Sequence, residues 1–261
     1  MSESGILEAV LHHCRAGAGL TLFLDYDGTL VPIARTPEEA LPDESLPGLL
    51  GSLSKISSVR TLILSGRPLA SLRTILPVPG LALAGVYGAE ILMDGKLIVR
   101  GASVRESLPM LVEVKKEWSR LIHGRDGFML EDKGRALALH ARWAETDEAD
   151  SVLTSAREIA LGLADPRLFR ILSGHRFLEV APAAANKGQT VDWFLNINLA
   201  SRCLPVYFGD DNKDEEAFPV IRRWGGYSIG VGAAYPLEQA DAHLASPDSV
   251  REWLRAIAAA Y

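Results

Sequence analysis

Asp25 and Asp27 stand two residues apart in the string Asp25-Tyr26-Asp27-Gly28-Thr29-Leu30, directly after the apolar run 20–24. Two carboxylates so placed at a strand end suit phosphoryl transfer: one attacks phosphorus and the other handles protons. Gly28, with Thr29 after it, lets backbone N–H groups approach a phosphate closely. The bland alternative is an acidic turn after a strand.

Three further strings carry complementary chemistry. Ser65-Gly66-Arg67 follows the apolar run 59–64, and a hydroxyl with backbone N–H groups there can hold phosphate oxygens. By itself this string reads as a helix N-cap. Lys187, in Asn186-Lys187-Gly188, opens a helical pattern at 189–195. A lysine there can neutralise both a nucleophile and a phosphoryl group, although a lone lysine is more commonly a solvated surface residue. Gly209-Asp210-Asp211, with Asp214 three residues on, supplies hard carboxylate oxygens that suit Mg²⁺. Its alternative is an acidic loop. The order of the four strings decides between these readings. D-x-D-G-T, S-G-R, K and G-D-D, each but the lysine after an apolar run, form an ordered set that is hard to obtain by chance.

The elements that must position them alternate. Runs 20–24, 59–64, 82–86, 203–208 and 227–229 read as strands. Segments 46–56 and 67–76 have helical spacing. Such alternation predicts an α/β fold, a parallel sheet covered by helices, with its site past the carboxyl ends of the strands. The middle differs. A helical pattern at 104–122 precedes strands 128–132 and 136–140 around Lys133-Gly134. A second helix at 148–163 precedes strands 168–172 and 177–180 around Ser173-Gly174. This repeated helix–strand–strand pattern predicts an α+β insertion. The expected domain plan is core 1–100, insert 101–183 and core 184–261.

Composition excludes several classes. The chain has 261 residues with a net charge of −6 and a pI near 5.6. It has no basic run, which argues against nucleic-acid binding and against a membrane surface. No uninterrupted apolar stretch reaches the ~18 residues of a membrane span. Residues 1–11 carry Glu3 and Glu8 and do not read as a signal peptide. The only two cysteines, Cys14 and Cys203, form no C-x-x-C pair and fit a reducing compartment. A cytoplasmic monomer is the expectation. There is no P-loop string, and the five tryptophans read as packing residues.

The ordered motifs resemble those of the haloacid-dehalogenase (HAD) superfamily over essentially the whole chain. The resemblance implies a Rossmann-like HAD core with an inserted cap domain and a nucleophilic aspartate. Retention of the second aspartate, Asp27, marks phosphatases and phosphomutases in that superfamily. The finer resemblance is to trehalose-6-phosphate phosphatases. It is carried by 22–30 (LFLDYDGTL), Glu131-Asp132-Lys133-Gly134, 137–142 (LALHAR), 178–182 (LEVAP) and 208–215 (FGDDNKDE). The sequence departs from that family at Tyr87, where histidine is usual, at Ala141 for tyrosine, Ala181 for arginine, Asn186 for aspartate and Lys213 for threonine. These departures touch substrate-facing motifs more than the phosphate chemistry.

The resemblance implies that Asp25 is the nucleophile and Asp27 the acid and base. Gly28, Thr29, Ser65, Gly66, Arg67 and Lys187 would hold phosphate. Asp25, Asp27, Asp210, Asp211 and Asp214 would hold or orient Mg²⁺. Glu131, Lys133, His140, Arg142 and Glu179 would meet the hydroxyls of trehalose 6-phosphate. A phosphatase for another sugar phosphate, a phosphomutase and a non-catalytic sugar-phosphate module are the alternatives.

Overall fold

The computed structural model describes residues 2–101, 104–174, 176–197, 203–233 and 235–261. Its strands are β1 (Leu20–Leu24), β2 (Val59–Leu64), β3 (Ala82–Gly85), β4 (Glu90–Met93), β5 (Lys96–Val99), β6 (Met129–Asp132), β7 (Leu137–His140), β8 (Phe169–Gly174), β9 (Phe177–Pro182), β10 (Leu204–Gly209), β11 (Tyr227–Val231) and β12 (Ala242–Leu244). The helices are α1 (Glu3–Arg15), α2 (Ser45–Ser54), α3 (Leu69–Ile75), α4 (Val104–Leu121), α5 (Thr146–Leu163), α6 (Lys187–Ile197), α7 (Phe218–Arg223) and α8 (Pro247–Ala260).

Packing divides the chain into two units, Met1–Ile98 with Asn186–Tyr261, and Val99–Ala185. The first contains most of an eight-stranded sheet in the order β12-β11-β10-β1-β2-β3-β4-β5. From β12 to β3 every pairing is parallel, while β4 runs antiparallel to β3. The central strands are buried on both faces, as a helix-covered parallel sheet requires. Alternate residues serve opposite sides. Leu20, Leu22 and Leu24 of β1 join the cluster built with α1, α2, α3 and α8. Phe23 joins the one built with α6 and α7.

Order in the sheet explains why distant motifs converge. β1 lies between β10 and β2, in parallel register with both. The residues following these three strands therefore share one edge. The chain leaves β1 toward β2 and later returns on the other side as β10, the switch point at which open sheets form a crevice.

The second unit holds a four-stranded antiparallel sheet, β6-β7-β9-β8. The two hairpins expected from sequence are joined through β7 and β9. Leu111, Val114 and Trp118 of α4 and Val152, Ala156 and Ala160 of α5 pack on its apolar face.

Several elements differ from the sequence reading. α3 begins at Leu69 rather than at 67, because Pro68 excludes the residue before it from helical geometry. β4, β5, β12, α1, α7 and α8 were not apparent. Signals exist for some of them. Asp94 and Gly95 both have positive φ and form the tight turn between β4 and β5, and Ser2 and Ser246 cap α1 and α8. Trp143, expected to pack, is 64% exposed. No helix among the described residues is long and apolar enough to cross a membrane.

Candidate active site

Asp25 follows β1 and is buried, its backbone N–H bonded to Phe208 O at 3.0 Å. Its carboxylate accepts from Lys187 Nζ at 2.7 Å. Lys187 opens α6 and is buried rather than solvated. The helix reaches this depth because Gly188 passes against the carbonyl of Glu216, where a Cβ would fall 2.1 Å from the oxygen. The ammonium also donates to Asp214 Oδ1 at 2.6 Å. Burial works against its charge, but the Asp214 and Asp25 carboxylates outweigh it and hold its pKa well above the ordinary value.

Asp27 lies in different surroundings. Its side chain is 38% exposed, and both of its oxygens accept from Arg67, at 2.7 Å each. Two carboxylates two residues apart thus face different cations, the arrangement that gives like groups different roles. Arg67, expected at the phosphate, donates from its guanidinium to Asp27 and the Ala40 carbonyl, and from its backbone N–H to Ser65 Oγ at 3.2 Å.

Asp210 follows β10 and packs against Gly28, where a Cβ would fall 2.0 Å from the carboxylate; Gly28 also has φ +83°. Asp25, Asp210 and Asp214 each offer an oxygen, all within 4.8 Å of one another. Burial first, and neighbouring carboxylates after it, push the pKa of Asp210 up to about 10. Burial likewise raises Asp25 to about 7, against the pull of Lys187. Concentrated carboxylate charge on hard oxygens fits a small divalent cation. Asp211 faces elsewhere: its oxygens accept from Lys213 N at 2.9 Å and Lys213 Nζ at 2.7 Å. Burial opposes its charge, but Lys187 and Lys213 prevail and lower its pKa to about 2.

Ser65 is buried after β2. Gly66 lies under the Tyr87 ring, where a Cβ would meet ring carbons and the hydroxyl at 2.6–2.7 Å. Val86 and Tyr87 are both left-handed, at φ 47° and 54°. This conformation is costly for a β-branched valine. Bonds from Val86 N to Arg67 O and from Tyr87 N to Ser65 O, 2.8 Å each, hold it, with Thr190 Oγ1 donating to Tyr87 O. Thr29 is fully buried, and its hydroxyl makes no hydrogen bond among the described residues.

In the second unit, Lys133 Nζ donates to Glu179 Oε2 at 3.0 Å, and both side chains are buried. His140 Nε2 meets Glu131 Oε2 at 3.0 Å. Lys133 lies 4.0 Å from Glu131, so these four residues form one chain of polar contacts. Arg142 is exposed beyond β7. Sequence reasoning missed Tyr207, whose hydroxyl donates to Asp214 Oδ1 at 2.6 Å.

Comparison with known proteins is consistent with this geometry. A probable trehalose-phosphate phosphatase of Sinorhizobium fredii is 32% identical over 240 residues, 91% of this chain and 87% of that protein. The trehalose-6-phosphate phosphatase of Escherichia coli is 32% identical over 241 residues, 91% of this chain and 86% of that protein. The C-terminal domain of the C. albicans trehalose-6-phosphate phosphatase shares the fold at a TM-score of 0.83 and 24% identity, covering 97% of this chain and 96% of that domain. The trehalose-phosphatase family profile matches residues 23–247, and with relatives of this similarity across most of its length the chain belongs to the trehalose-phosphatase family.

Proposed function

We propose that this chain hydrolyses trehalose 6-phosphate to trehalose and inorganic phosphate, as a cytoplasmic, monomeric, Mg²⁺-dependent enzyme. The observation that carries the reading is the division of the carboxylate pair, Asp25 on Lys187 and Asp27 on Arg67. Asp25 attacks phosphorus in line, and the bond to the sugar oxygen breaks. Asp27 delivers the proton that the departing oxygen needs. Asp27 then takes a proton from water as that water attacks the aspartyl phosphate, freeing Asp25 and phosphate. Lys187 and Ser65 balance charge on the transferring group. Asp25, Asp210 and the Asp27 carbonyl would hold Mg²⁺, which supplies Lewis-acid charge stabilisation when bound.

The insert, 101–183, serves in this reading as a cap, with Glu131, Lys133, His140 and Glu179 recognising sugar hydroxyls. The support is family membership together with the clustering of these four residues. Phosphate release from a panel of sugar phosphates, with and without Mg²⁺, tests it. Trehalose 6-phosphate should be the preferred substrate, and preference for a different sugar phosphate would overturn the substrate. Gel filtration checks the monomer.

A further inference from the structure

We propose that Tyr207 is a positioning residue for phosphoryl transfer, fixing the Lys187 ammonium against Asp25 by way of Asp214. The inference rests on the phosphatase reading above and adds to it a residue that lies within an apolar strand.

Asp214 is the hub. Its Oδ1 accepts from the Tyr207 hydroxyl at 2.6 Å and from Lys187 Nζ at 2.6 Å. Its Oδ2 accepts from the backbone N–H groups of Asp210 and Asp211, at 3.0 Å each. A carboxylate has about four lone-pair sites, so these donors fill it. Asp214 lies within reach of a cation shared by Asp25 and Asp210, yet no lone pair remains for one. Its part is to hold the lysine on one side and the Asp210–Asp211 backbone on the other.

Tyr207 gives that hub a fixed direction. Its ring stacks on Phe23, with centroids 6.3 Å apart and planes 18° apart, and meets Phe218 edge-on at 5.9 Å. The ring is fully buried between Phe23 and Phe218, and the bond to Asp214 keeps the hydroxyl in place when one of those two contacts loosens. A phenol also donates without adding charge to a site that must keep its balance of lysine and carboxylates. The ammonium bridges two oxygens, Asp214 Oδ1 at 2.6 Å and Asp25 Oδ1 at 2.7 Å. Without the phenol, Asp214 is one donor short in a dry environment, and Lys187 is drawn toward it and away from Asp25. That displacement matters most when charge moves from Asp25 onto the transferring phosphoryl group. It therefore weakens the transition state more than the bound substrate.

The test is Tyr207→Phe, which removes one oxygen and keeps the ring, assayed in the full chain with Mg²⁺ and p-nitrophenyl phosphate. Expected is a fall in kcat of roughly 10- to 100-fold, the factor carried by a hydrogen bond to a charged group, with KM little changed. Inhibition by vanadate, which mimics the transferring group, should weaken in step with kcat, while inhibition by inorganic phosphate holds. Phe23→Leu is the control. It loosens the same ring stack without touching the hydrogen bond, and should lower Tm with little loss of kcat. An unchanged kcat in Tyr207→Phe, an equal kcat loss in Phe23→Leu, or a Tyr207→Phe protein that does not fold would each overturn the assignment. Wild-type protein inert on aryl and sugar phosphates alike would instead sink the phosphatase reading, and this inference with it.

Discussion

Arg67 grips both oxygens of Asp27, Nε on Oδ2 and Nη2 on Oδ1, at 2.7 Å each. The same guanidinium donates to Ala40 O at 3.3 Å and lies 5.0 Å from the centroid of the Tyr26 ring. Tyr26 in turn donates to that same carbonyl at 3.1 Å. The carboxylate given the proton-handling role is thus held by a planar fork that is itself braced. Lysine cannot reproduce such a bidentate grip.

Arg67→Ala should therefore lower kcat on sugar phosphates by about 10- to 100-fold, part of the 10²–10⁴ that general acid–base catalysis supplies. Arg67→Lys should recover little of the loss. The effect on the first step should shrink with p-nitrophenyl phosphate, whose leaving group departs without a proton. Rapid-mixing measurement of nitrophenol release checks this, and an equal first-step defect on both substrates would remove Asp27 from Arg67's account.

Asp25→Asn should abolish turnover while the protein stays folded. Lys187 keeps Asp214 as a partner at 2.6 Å, so the buried ammonium is not orphaned. Asp27→Asn should behave differently, giving a burst of nitrophenol near one per site and then slow turnover, because the second step lacks its base. Phosphate release near the wild-type rate in Asp25→Asn would end its assignment as nucleophile.

Much of this was legible in the sequence, for identifiable reasons. β1 and β2 are apolar runs that end directly at Asp25 and Ser65, so composition alone marks the strand and the site beside it. The burial of Lys187 was not legible, because a lysine after Asn186 reads as surface until the glycine contact with Glu216 is seen. The pairing of Arg67 with Asp27 was not legible, because the two lie 40 residues apart. Tyr207 looked like one more apolar strand residue, since only its tip carries chemistry. The left-handed backbone at Val86 and Tyr87 could not be read from a valine and a tyrosine, neither of which signals positive φ.

The metal reading predicts a coupled dependence on pH. Burial raises the pKa of Asp25 from 3.8 to about 7 and that of Asp210 higher still. With folded values above unfolded ones, the native state keeps protons that the unfolded chain has released. Unfolding free energy from these groups must then fall as pH rises, across a window from 3.8 to about 7 for Asp25. A divalent cation displaces those protons, so its stabilising effect should grow across the same window. Thermal melts with EDTA or Mg²⁺ at about pH 5 and about pH 7.5 measure this. The Mg²⁺ gain in Tm should be larger at the higher pH and nearly absent in Asp210→Asn. EDTA should silence activity, and Mg²⁺ should restore it. A Tm gain independent of pH, or full activity after chelation, would remove Asp210 from the metal.

The insert carries the claim about substrate, and its chain of polar contacts sets how that claim is tested. Glu179 is wholly buried against Lys133, so Glu179→Ala removes the 3.0 Å partner of a buried ammonium, a break that costs about 3–5 kcal/mol. Its activity loss would mix recognition with unfolding. Glu131 and His140 are only partly buried, which makes Glu131→Gln the cleaner probe: it keeps the shape and changes the charge. A site built to hydrogen-bond hydroxyls can discriminate against their loss by about 10⁴. Glu131→Gln should thus cut kcat/KM for trehalose 6-phosphate by roughly 10² or more, while p-nitrophenyl phosphate, with no hydroxyl to lose, changes little. The ratio of the two substrates in this variant, with Tm recorded alongside, is the deciding measurement. Parallel losses on both substrates that track Tm would mean that these residues hold the insert together, and recognition of the sugar would have to be sought elsewhere in 101–183.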